Sequence, residues 1–356
     1  MREMPGNLPR SLMPHAYPTK SPKRRRPIQG LRTTGSLLIA ALLIALGLLS
    51  LPTVLATDIK LAQAEPAKPL FPVTVDPVNE TINEDPEVEA LLDETHGSLE
   101  AAVGLASGVL SWIANAIASV PAYQQIAGSD IAFVDIKAGY REEEVARAFG
   151  RELGWTLKEQ NAFLKQIHET EPELAEGEFV PGTYMVSSAA SASYIQELLS
   201  DRFEKDIVAR YSTSSEEVLP IEDVLTIASM LERETRDPAE MRLISGIIWN
   251  RLWAGMNLQI DATLQYAKAT KANNGVWWPK PVPNDKYIKS AYNTYKNKGL
   301  PPGPIASPST AAVLAALNPK KTDCIFYFHD SRSEMHCTKT YKEHVALLKK
   351  YYGRGK

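Results

Sequence analysis

The chain has 356 residues, a formal net charge of −3 and a hydrophobic share of 44%, which suit one or two folded domains with tails. The near-neutral charge gives no basic field of the kind that attracts nucleic acid, so no nucleic-acid partner is expected. Two cysteines and no Cys/His cluster with metal-ligand spacing argue against a structural metal. We therefore expect no metal and no cofactor.

The N-terminus has the pattern of a membrane anchor. Residues 1–35 are rich in Pro, Arg and Lys, including Lys23-Arg-Arg-Arg26, and residues 36–56 follow without a charge. An apolar run of this length crosses roughly 30 Å of hydrocarbon as a helix. Because the basic residues precede it, the positive-inside rule predicts a cytoplasmic tail at 1–35, a transmembrane helix at 36–56 and an exported remainder. A cleaved signal peptide is the alternative, since Val54-Leu-Ala56 resembles a cleavage site.

Residues 57–129 are predicted to form a stalk. Its first part, to about residue 94, is rich in Pro, Glu and Asp and is expected to have low order. Residues 101–120 are uncharged, with a polar residue at every fourth position from 107 to 119. Their weak hydrophobicity favours a helix lying on the membrane or on a neighbour over a second span.

Residues 130–205 are predicted to form a small α+β subdomain. The pattern indicates strands at 131–136 and 179–186 and helices from about 141, at 157–168 and at 192–205. The order βααβα suits a compact α+β module.

Residues 206–356 are predicted to form a second α+β domain. A helix is expected at 221–235, and Asp237-Pro-Ala-Glu240 is typical of the start of the next, with Asp as cap, Pro in the first turn and Glu reaching back. Gly255 ends that helix. Paired strands at 324–328 and 336–341 and a last helix at 342–351 complete the domain.

One carboxyl group in this domain has the environment expected of the general acid in glycosidic-bond cleavage. Cleavage of a glycosidic bond needs an acid that stays protonated near neutrality. Glu234 lies at the C-terminal end of its helix, where the unpaired carbonyls disfavour a carboxylate, and Ile227 and Leu231 share its face. Glu232 competes on similar grounds, and periodicity alone does not separate the two.

Polar and aromatic residues suited to sugar binding follow within about seventy residues. Sugars need flat rings under their C–H faces and amides or hydroxyls for their OH groups. The candidate substrate-binding residues are Gln259, Asp261, Thr263, Tyr292, Asn293, Thr294 and Tyr295. Trp277 and Trp278 offer a further stacking platform, whereas three prolines make 299–304 a rigid loop.

Together these residues resemble the YceG-like family of endolytic murein transglycosylases. The resemblance covers about residues 176–351. It rests on Glu176-Gly-Glu-Phe-Val-Pro-Gly-Thr-Tyr184, Ala228-Ser-Met-Leu-Glu-Arg-Glu-Thr235, Asn250-Arg-Leu252, Gly255-Met-Asn-Leu-Gln-Ile-Asp261, Tyr292-Asn-Thr-Tyr295, Gly299-Leu-Pro-Pro-Gly-Pro-Ile305 and Thr340-Tyr-Lys-Glu-His344.

The resemblance implies a mechanism and a location. The catalytic residue would be the glutamate directly before Thr235, which selects Glu234 over Glu232. It would act as acid and then as base, cutting between MurNAc and GlcNAc of nascent peptidoglycan and leaving a 1,6-anhydro end. Residues 130–205 would be a LysM-like subdomain, and residues 206–356 the catalytic domain. The protein would be retained by a single span in the bacterial cytoplasmic membrane, beside the peptidoglycan synthases.

The sequence departs from the family pattern in several places. Ala262 replaces a usual proline after Asp261, and Met335 occupies a position that is often histidine, with His336 one residue later. Cys324 and Cys337 either pair across the last hairpin or remain thiols.

Two rival functions stay open. One is a muramidase in which Asp261 orients water. The other is an inactive, anchored wall-binding protein.

Overall fold

The structure, a computed structural model, describes residues 68–97, 131–170, 176–272 and 276–353. The predicted tail (1–35), the predicted transmembrane helix (36–56) and the predicted interfacial helix (101–120) lie outside these ranges. Within them, no helix is both long enough and apolar enough to span a bilayer.

The region from residue 131 to 206 has the predicted βααβα order. Its elements are β3 (Ile131–Ile136), α2 (Glu142–Leu153), α3 (Leu157–Thr170), β4 (Gly182–Ser187) and α4 (Ala192–Asp206). The strands β3 and β4 pair antiparallel, with Val134 opposite Tyr184. Val134 and Ile136 are buried while Asp135 is exposed, which is the alternation expected of a strand with one solvated face. Helices cover the other face, and Phe149 lies in the resulting core.

The region from residue 207 to 353, called here the C-terminal region, is mainly helical. Its helices are α5 (Thr213–Val218), α6 (Ile221–Glu234), α7 (Pro238–Trp253), α8 (Asp261–Ala272), α9 (Thr310–Leu317) and α10 (Tyr341–Tyr352), with 3-10 turns at Val208–Arg210 and Pro283–Tyr287. Every residue of α6 from Val224 to Leu231 is buried, and α7, α8 and α9 pack around it. The helix is therefore the centre of the second core, and it brings its last residue, Glu234, to the edge.

The corner between α6 and α7 follows the predicted capping pattern in part. Asp237 caps α7 by accepting a hydrogen bond from the Ala239 amide at 2.8 Å, with Pro238 in the first turn. Glu240 was expected to reach back to the cap, but the Asp237 amide donates to Thr235 Oγ1 at 3.1 Å instead. Thr235 in turn donates to Glu240 Oε2 at 2.7 Å, so the threonine connects the two helix ends.

A terminal hairpin packs beside this corner. Its strands are β5 (Phe326–His329) and β6 (Met335–Thr338), paired antiparallel with His329 opposite Met335. Cys324 and Cys337 form a disulfide, which selects the paired state of the two alternatives left open by the sequence.

The prediction of low order is wrong for residues 68–97. They form a short hairpin, β1 (Val75–Asp76) and β2 (Thr81–Ile82), followed by α1 (Pro86–Gly97). Phe71, Val75 and Ile82 are buried in the same core as α6. The composition of the segment is too polar to form its own core, but the C-terminal helices supply the apolar partner surface from more than a hundred residues away.

The βααβα region and the C-terminal region meet through backbone contacts. The Gly139 amide donates to Ser307 O at 2.8 Å, and the Ser307 amide donates to Tyr140 O at 2.7 Å. Gly177 has a φ of +100°, and a Cβ there would lie 2.5 Å from Pro304 Cβ, so only glycine fits. Two of the sequence motifs, at 176–184 and 299–305, therefore pack against each other at this junction.

Candidate active site

Glu234 is half-buried at the end of α6 and faces the terminal hairpin. The Tyr327 hydroxyl donates to Glu234 Oε2 at 3.0 Å. Burial raises the pKa of the Glu234 carboxyl, and the negative charge of Asp261 adds to this effect. The Tyr327 hydrogen bond and the positive charges of His329 and Arg251 act in the opposite direction. The net result is an acid that holds its proton to higher pH than a solvated glutamate.

Glu232, the competing carboxyl, has a structural partner. Its Oε2 accepts hydrogen bonds from the Ser309 amide at 3.0 Å and from Ser309 Oγ at 2.6 Å. Ser309 is the N-cap of α9, where a carboxylate is favoured by the helix dipole. Glu232 thus joins α6 to α9, which leaves Glu234 as the helix-end carboxyl beside the hairpin.

The sequence did not predict two side chains of the site, Tyr327 and His329. They lie two residues apart on β5 and so project from the same face of the strand. His329 Nε2 lies 3.3 Å from Glu240 Oε2, and the rings of Tyr327 and His329 are edge to face at 6.5 Å. The alternation Phe326-Tyr-Phe-His329 was visible in the sequence, but nothing local indicates which helix end that face meets.

The histidine that follows Met335 lies elsewhere. His336 Nε2 is 3.3 Å from Asp330 Oδ2, and its ring is 4.3 Å from that of Tyr351. His329, as the cross-strand partner of Met335, is instead the imidazole beside the α6–α7 corner.

Arg251 fixes the loop in front of the site. Its Nε donates to Ile325 O at 2.7 Å, and its Nη1 donates to Leu258 O. The side chain is buried, and it joins the chain just before β5 to the chain just before Gln259. Arg251 belongs to the motif Asn250-Arg-Leu252, but the sequence alone indicates no role for it.

Three predicted substrate-binding residues lie at the surface of this loop or beside it. Tyr295 donates to Asp261 Oδ1 at 2.7 Å. Burial raises the pKa of the Tyr295 hydroxyl, and the hydrogen bond to Asp261 and the charge of that carboxylate act in the same direction. Asp261 and Gln259 are exposed, and Gln259 has a φ of +53°. Their side chains are accessible to a ligand beside Glu234.

The other predicted contacts divide into two groups. Thr263, Asn293 and Thr294 are buried, with relative exposures of 0%, 0% and 1%, so the structure places them behind the surface of the site, and their contact with a substrate stays a prediction. Thr263 and Thr294 hydrogen-bond each other at 2.9 Å, and Asn293 donates to the carbonyl of Ile288 at 2.8 Å. Tyr292 is half-buried, with its ring 4.7 Å from that of Tyr266.

The physical reason for this burial is that the motif 292–295 is a tight turn. Its amide and hydroxyl groups satisfy backbone groups that the turn would otherwise leave unpaired. Small polar residues are favoured both there and in sugar sites, and the sequence does not distinguish the two uses.

The tryptophan pair is also engaged within the protein. The Arg233 guanidinium lies 3.7 Å from the ring centre of Trp278, and Trp278 Nε1 donates to Glu144 at 2.9 Å. Arg141 lies 5.1 Å from the ring centre of Trp277. These rings therefore connect the residue before Glu234 to the βααβα region, rather than offering two free faces to a sugar.

Among the described residues, Asp330, Glu334 and His336 place metal-ligand atoms within 4.8 Å of one another. Asp330 Oδ1 accepts the amides of Arg332 at 2.8 Å and Glu334 at 3.0 Å. These bonds close the β5–β6 turn, so the carboxylate has a structural use there.

Comparison with known proteins identifies similar chains. An endolytic murein transglycosylase of Streptococcus pneumoniae is 35% identical over 156 residues, which are 44% of this chain and 28% of the relative. An endolytic murein transglycosylase of Bacillus subtilis is 29% identical over 238 residues, which are 61% of this chain and 64% of the relative. This chain thus spans less than two thirds of either relative.

A crystal structure of a YceG-like protein from Listeria monocytogenes is similar in fold. It has a TM-score of 0.52 and 26% identity, and the match covers 61% of this chain and 76% of that one. The mixed α/β architecture described above is therefore shared with that protein. Residues 109–350 match the YceG-like family, a longer stretch than the sequence motifs suggested. The chain belongs to the YceG-like family.

Proposed function

We propose that this protein is an endolytic peptidoglycan lytic transglycosylase in which Glu234 is the catalytic acid and base. The observation that carries the proposal is the environment of that carboxyl: half-buried, with a raised pKa and a hydrogen bond from Tyr327. The names of the bacterial relatives support the same reaction class.

The first step uses the protonated form of Glu234. Its proton passes to the glycosidic oxygen as the bond from that oxygen to the anomeric carbon of MurNAc breaks, and the GlcNAc hydroxyl leaves. Catalysis of this kind by one positioned acid contributes about 10² to 10⁴ in rate.

The second step uses the carboxylate that the first step leaves. It takes the proton of the MurNAc 6-hydroxyl while that oxygen bonds to the anomeric carbon, which gives a 1,6-anhydro end and restores the acid. The Tyr327 O–H would stabilise the transient carboxylate, because a donor favours the charged form. No water enters the products.

A hydrolytic reaction is the second candidate. Asp261 is exposed and acts on the pKa of Glu234, so it is a second carboxylate near the acid, as paired-carboxylate glycosidases require. Its Oδ1 already accepts the Tyr295 hydroxyl at 2.7 Å, which favours a positioning role over activation of water.

The finer organisation is also a proposal. We expect residues 36–56 to anchor the protein in the cytoplasmic membrane, with 1–35 inside the cell and the catalytic domain outside. The uncharged run and the preceding basic residues support this. The βααβα order supports a LysM-like subdomain at 130–205. Substrates would be nascent glycan strands, and partners would be the membrane and the peptidoglycan synthases.

The test is product analysis with the full chain in detergent. Mass spectrometry of digested peptidoglycan should give 1,6-anhydro ends, and Glu234→Gln should remove them without a change in melting temperature. Glu222→Gln is the matched control, because Glu222 is an exposed glutamate at the other end of the same helix. Reducing ends would select the hydrolase, and unchanged cleavage by Glu234→Gln would reject the catalytic assignment.

A further inference from the structure

Two side-by-side links join the strand β5 to the end of α6. In the first, the Tyr327 hydroxyl donates to Glu234 Oε2 at 3.0 Å. In the second, His329 Nε2 lies 3.3 Å from Glu240 Oε2, and Thr235 Oγ1 donates to that same oxygen at 2.7 Å. Tyr327 and His329 are on one face of the strand, and Thr235 directly follows Glu234. The second link therefore runs beside the first at the same helix end.

The bond between His329 and Glu240 has a defined direction. The oxygen of Glu240 is an acceptor in its bond with Thr235, and a carboxylate has no hydrogen of its own to offer. The Nε2 atom of His329 therefore carries the hydrogen and donates it to Glu240. The ring is also held against Tyr327, edge to face at 6.5 Å, so the imidazole has contacts on both the strand and the α6–α7 corner.

The first link depends on where the strand lies. Among the described residues, Tyr327 is the only side chain that hydrogen-bonds the Glu234 carboxyl. The charged groups that act on Glu234 are His329 from the strand, Arg251 from α7 and Asp261 from α8. One hydrogen bond sets a distance between two elements but leaves them free to rotate about it. A second bond two residues along the strand removes that freedom.

The hairpin contains a second imidazole that makes a similar bond in a different place. His336 Nε2 is 3.3 Å from Asp330 Oδ2, the same distance as that from His329 to Glu240. The ring of His336 packs against Phe328 and Tyr351, on the opposite face of the hairpin from Tyr327. Of the two pairs, only the one with His329 reaches the α6–α7 corner.

We propose that His329 is a positioning residue for Glu234, because its bond to Glu240 holds β5 in the orientation that keeps the Tyr327 hydroxyl on the carboxyl. Its consequence for catalysis rests on the proposed function. Glu234 gives its proton to the glycosidic oxygen and regains one from the MurNAc 6-hydroxyl, while His329 neither gains nor loses a proton. The hydroxyl thus stays in place during the interval in which Glu234 is a carboxylate.

The first test compares two substitutions of His329 in the full chain in detergent. His329→Leu removes the donor and keeps a side chain of similar size. Misplacement of a positioned group costs up to about a hundredfold in rate, and we expect a loss of about tenfold here. His329→Gln retains an N–H that can donate to Glu240, so its rate should stay within about threefold of the wild type. A folded His329→Gln protein that is as slow as His329→Leu overturns the proposal.

The second test measures whether His329 and Tyr327 act together. The pKa of Glu234 is followed by NMR of protein labelled with ¹³C at the glutamate carboxyls, and its signal is identified by its loss in Glu234→Gln. Tyr327→Phe should raise this pKa in the wild type, because the hydroxyl favours the carboxylate. In the His329→Leu background the same change should have less than about half of that effect. Equal effects in both backgrounds overturn the proposal.

His336→Leu is the matched control. It removes an imidazole at the same distance from a carboxylate and should lower the melting temperature, but the rate and the effect of Tyr327→Phe should be retained. If it acts on both as His329→Leu does, the proposal is overturned, because any loosening of the hairpin then suffices.

The NMR titration also separates this proposal from the proposed function, since it needs no turnover. Coupling between His329 and Tyr327 in a wild-type protein that forms no 1,6-anhydro ends rejects the proposed function and keeps the link to Glu234. An active enzyme without the coupling rejects the link alone.

Discussion

Two carboxyls in this protein, Glu234 and Glu176, both have a raised pKa and differ in their surroundings. Burial is the main cause of a raised pKa for both. Glu176 lies at the junction of the two regions with a relative exposure of 9%. Its Oε1 accepts the Glu142 amide at 3.0 Å, and Arg141 Nε is 4.0 Å from its Oε2. Glu234 is half-buried, and the Tyr327 hydroxyl bonds to it.

Glu234 can transfer its proton to a ligand, whereas Glu176 is only held in its neutral form. Glu176 is enclosed beside Arg141, whose guanidinium lies 4.2 Å from the ring centre of Tyr266, and no substrate can reach its proton. Glu234 has a raised pKa, an open side and a donor that stabilises its charged form. A raised pKa alone therefore shows only that a carboxyl is buried. A carboxyl is a catalytic candidate when it is also accessible and has a donor that stabilises its charged form.

The largest expected effect contrasts the two carboxyls directly. Glu234→Gln should lower the cleavage rate by about 10² to 10⁴, because the amide cannot donate the proton. Glu176→Gln should keep the rate within about threefold, since an amide resembles the neutral carboxyl in a site that needs no proton transfer. Rates are measured on purified peptidoglycan at one pH. A large loss of rate in a folded Glu176→Gln protein would break the comparison.

Removal of Arg141 should produce the largest loss of stability. Its Nε and Nη2 bond to the two carboxylate oxygens of Glu143, each at 3.0 Å, and the side chain is buried. Breaking such a pair from one side costs about 3 kcal/mol. Arg141→Met should therefore lower the free energy of unfolding by that amount in urea titrations. Arg147→Met is the control, because Arg147 is exposed on α2, the helix that begins directly after Arg141. It should change the free energy of unfolding by less than about 0.5 kcal/mol.

Stability should depend on pH through Glu176. Its folded pKa lies well above the ordinary value of 4.5, so the native state favours the protonated form. That contribution is complete below about pH 4.5 and is lost as the pH rises through the folded pKa. The slope attributable to this group is at most about 1.4 kcal/mol per pH unit. Urea titrations between pH 4.5 and 8 should show a flatter dependence for Glu176→Gln than for the wild type, and parallel curves would contradict the prediction.

Tyr327→Phe tests the partner that distinguishes Glu234. The hydroxyl favours the carboxylate, so its removal raises the pKa of Glu234 further. Because the first step needs the protonated acid, the alkaline limb of the pH–rate profile should move to higher pH, by up to about one unit. Tyr341→Phe, an exposed tyrosine with 62% relative exposure, should leave the profile in place. A shift to lower pH would exclude the assigned role of Tyr327.

The smallest effect is expected at the link between the two regions. Trp278→Phe keeps a ring against Arg233 and removes the N–H that donates to Glu144 at 2.9 Å. The loss of one hydrogen bond should cost about 1 kcal/mol of stability, read as a lower melting temperature. No measurable destabilisation would show that the Trp278–Glu144 bond contributes nothing to the junction.

The sequence by itself determined the order of the elements and the end of the helix that carries Glu234. The βααβα order, the Asp237 cap and the terminal hairpin depend on local interactions, namely side-chain period, capping and turn chemistry, and these are readable from neighbouring residues. The motifs likewise sufficed to recognise the YceG-like family.

Only the tertiary structure decided which polar side chains face the site. Glu232 is occupied by Ser309, seventy-seven residues away, and Tyr327 reaches Glu234 from ninety-three residues away. The buried state of Thr294 and the packing of Phe71 in the core likewise depend on distant partners. The reason is that burial and long-range hydrogen bonding are set by how helices and strands pack. A local sequence pattern shows which side chains an element presents on each face, but not which distant element packs against that face.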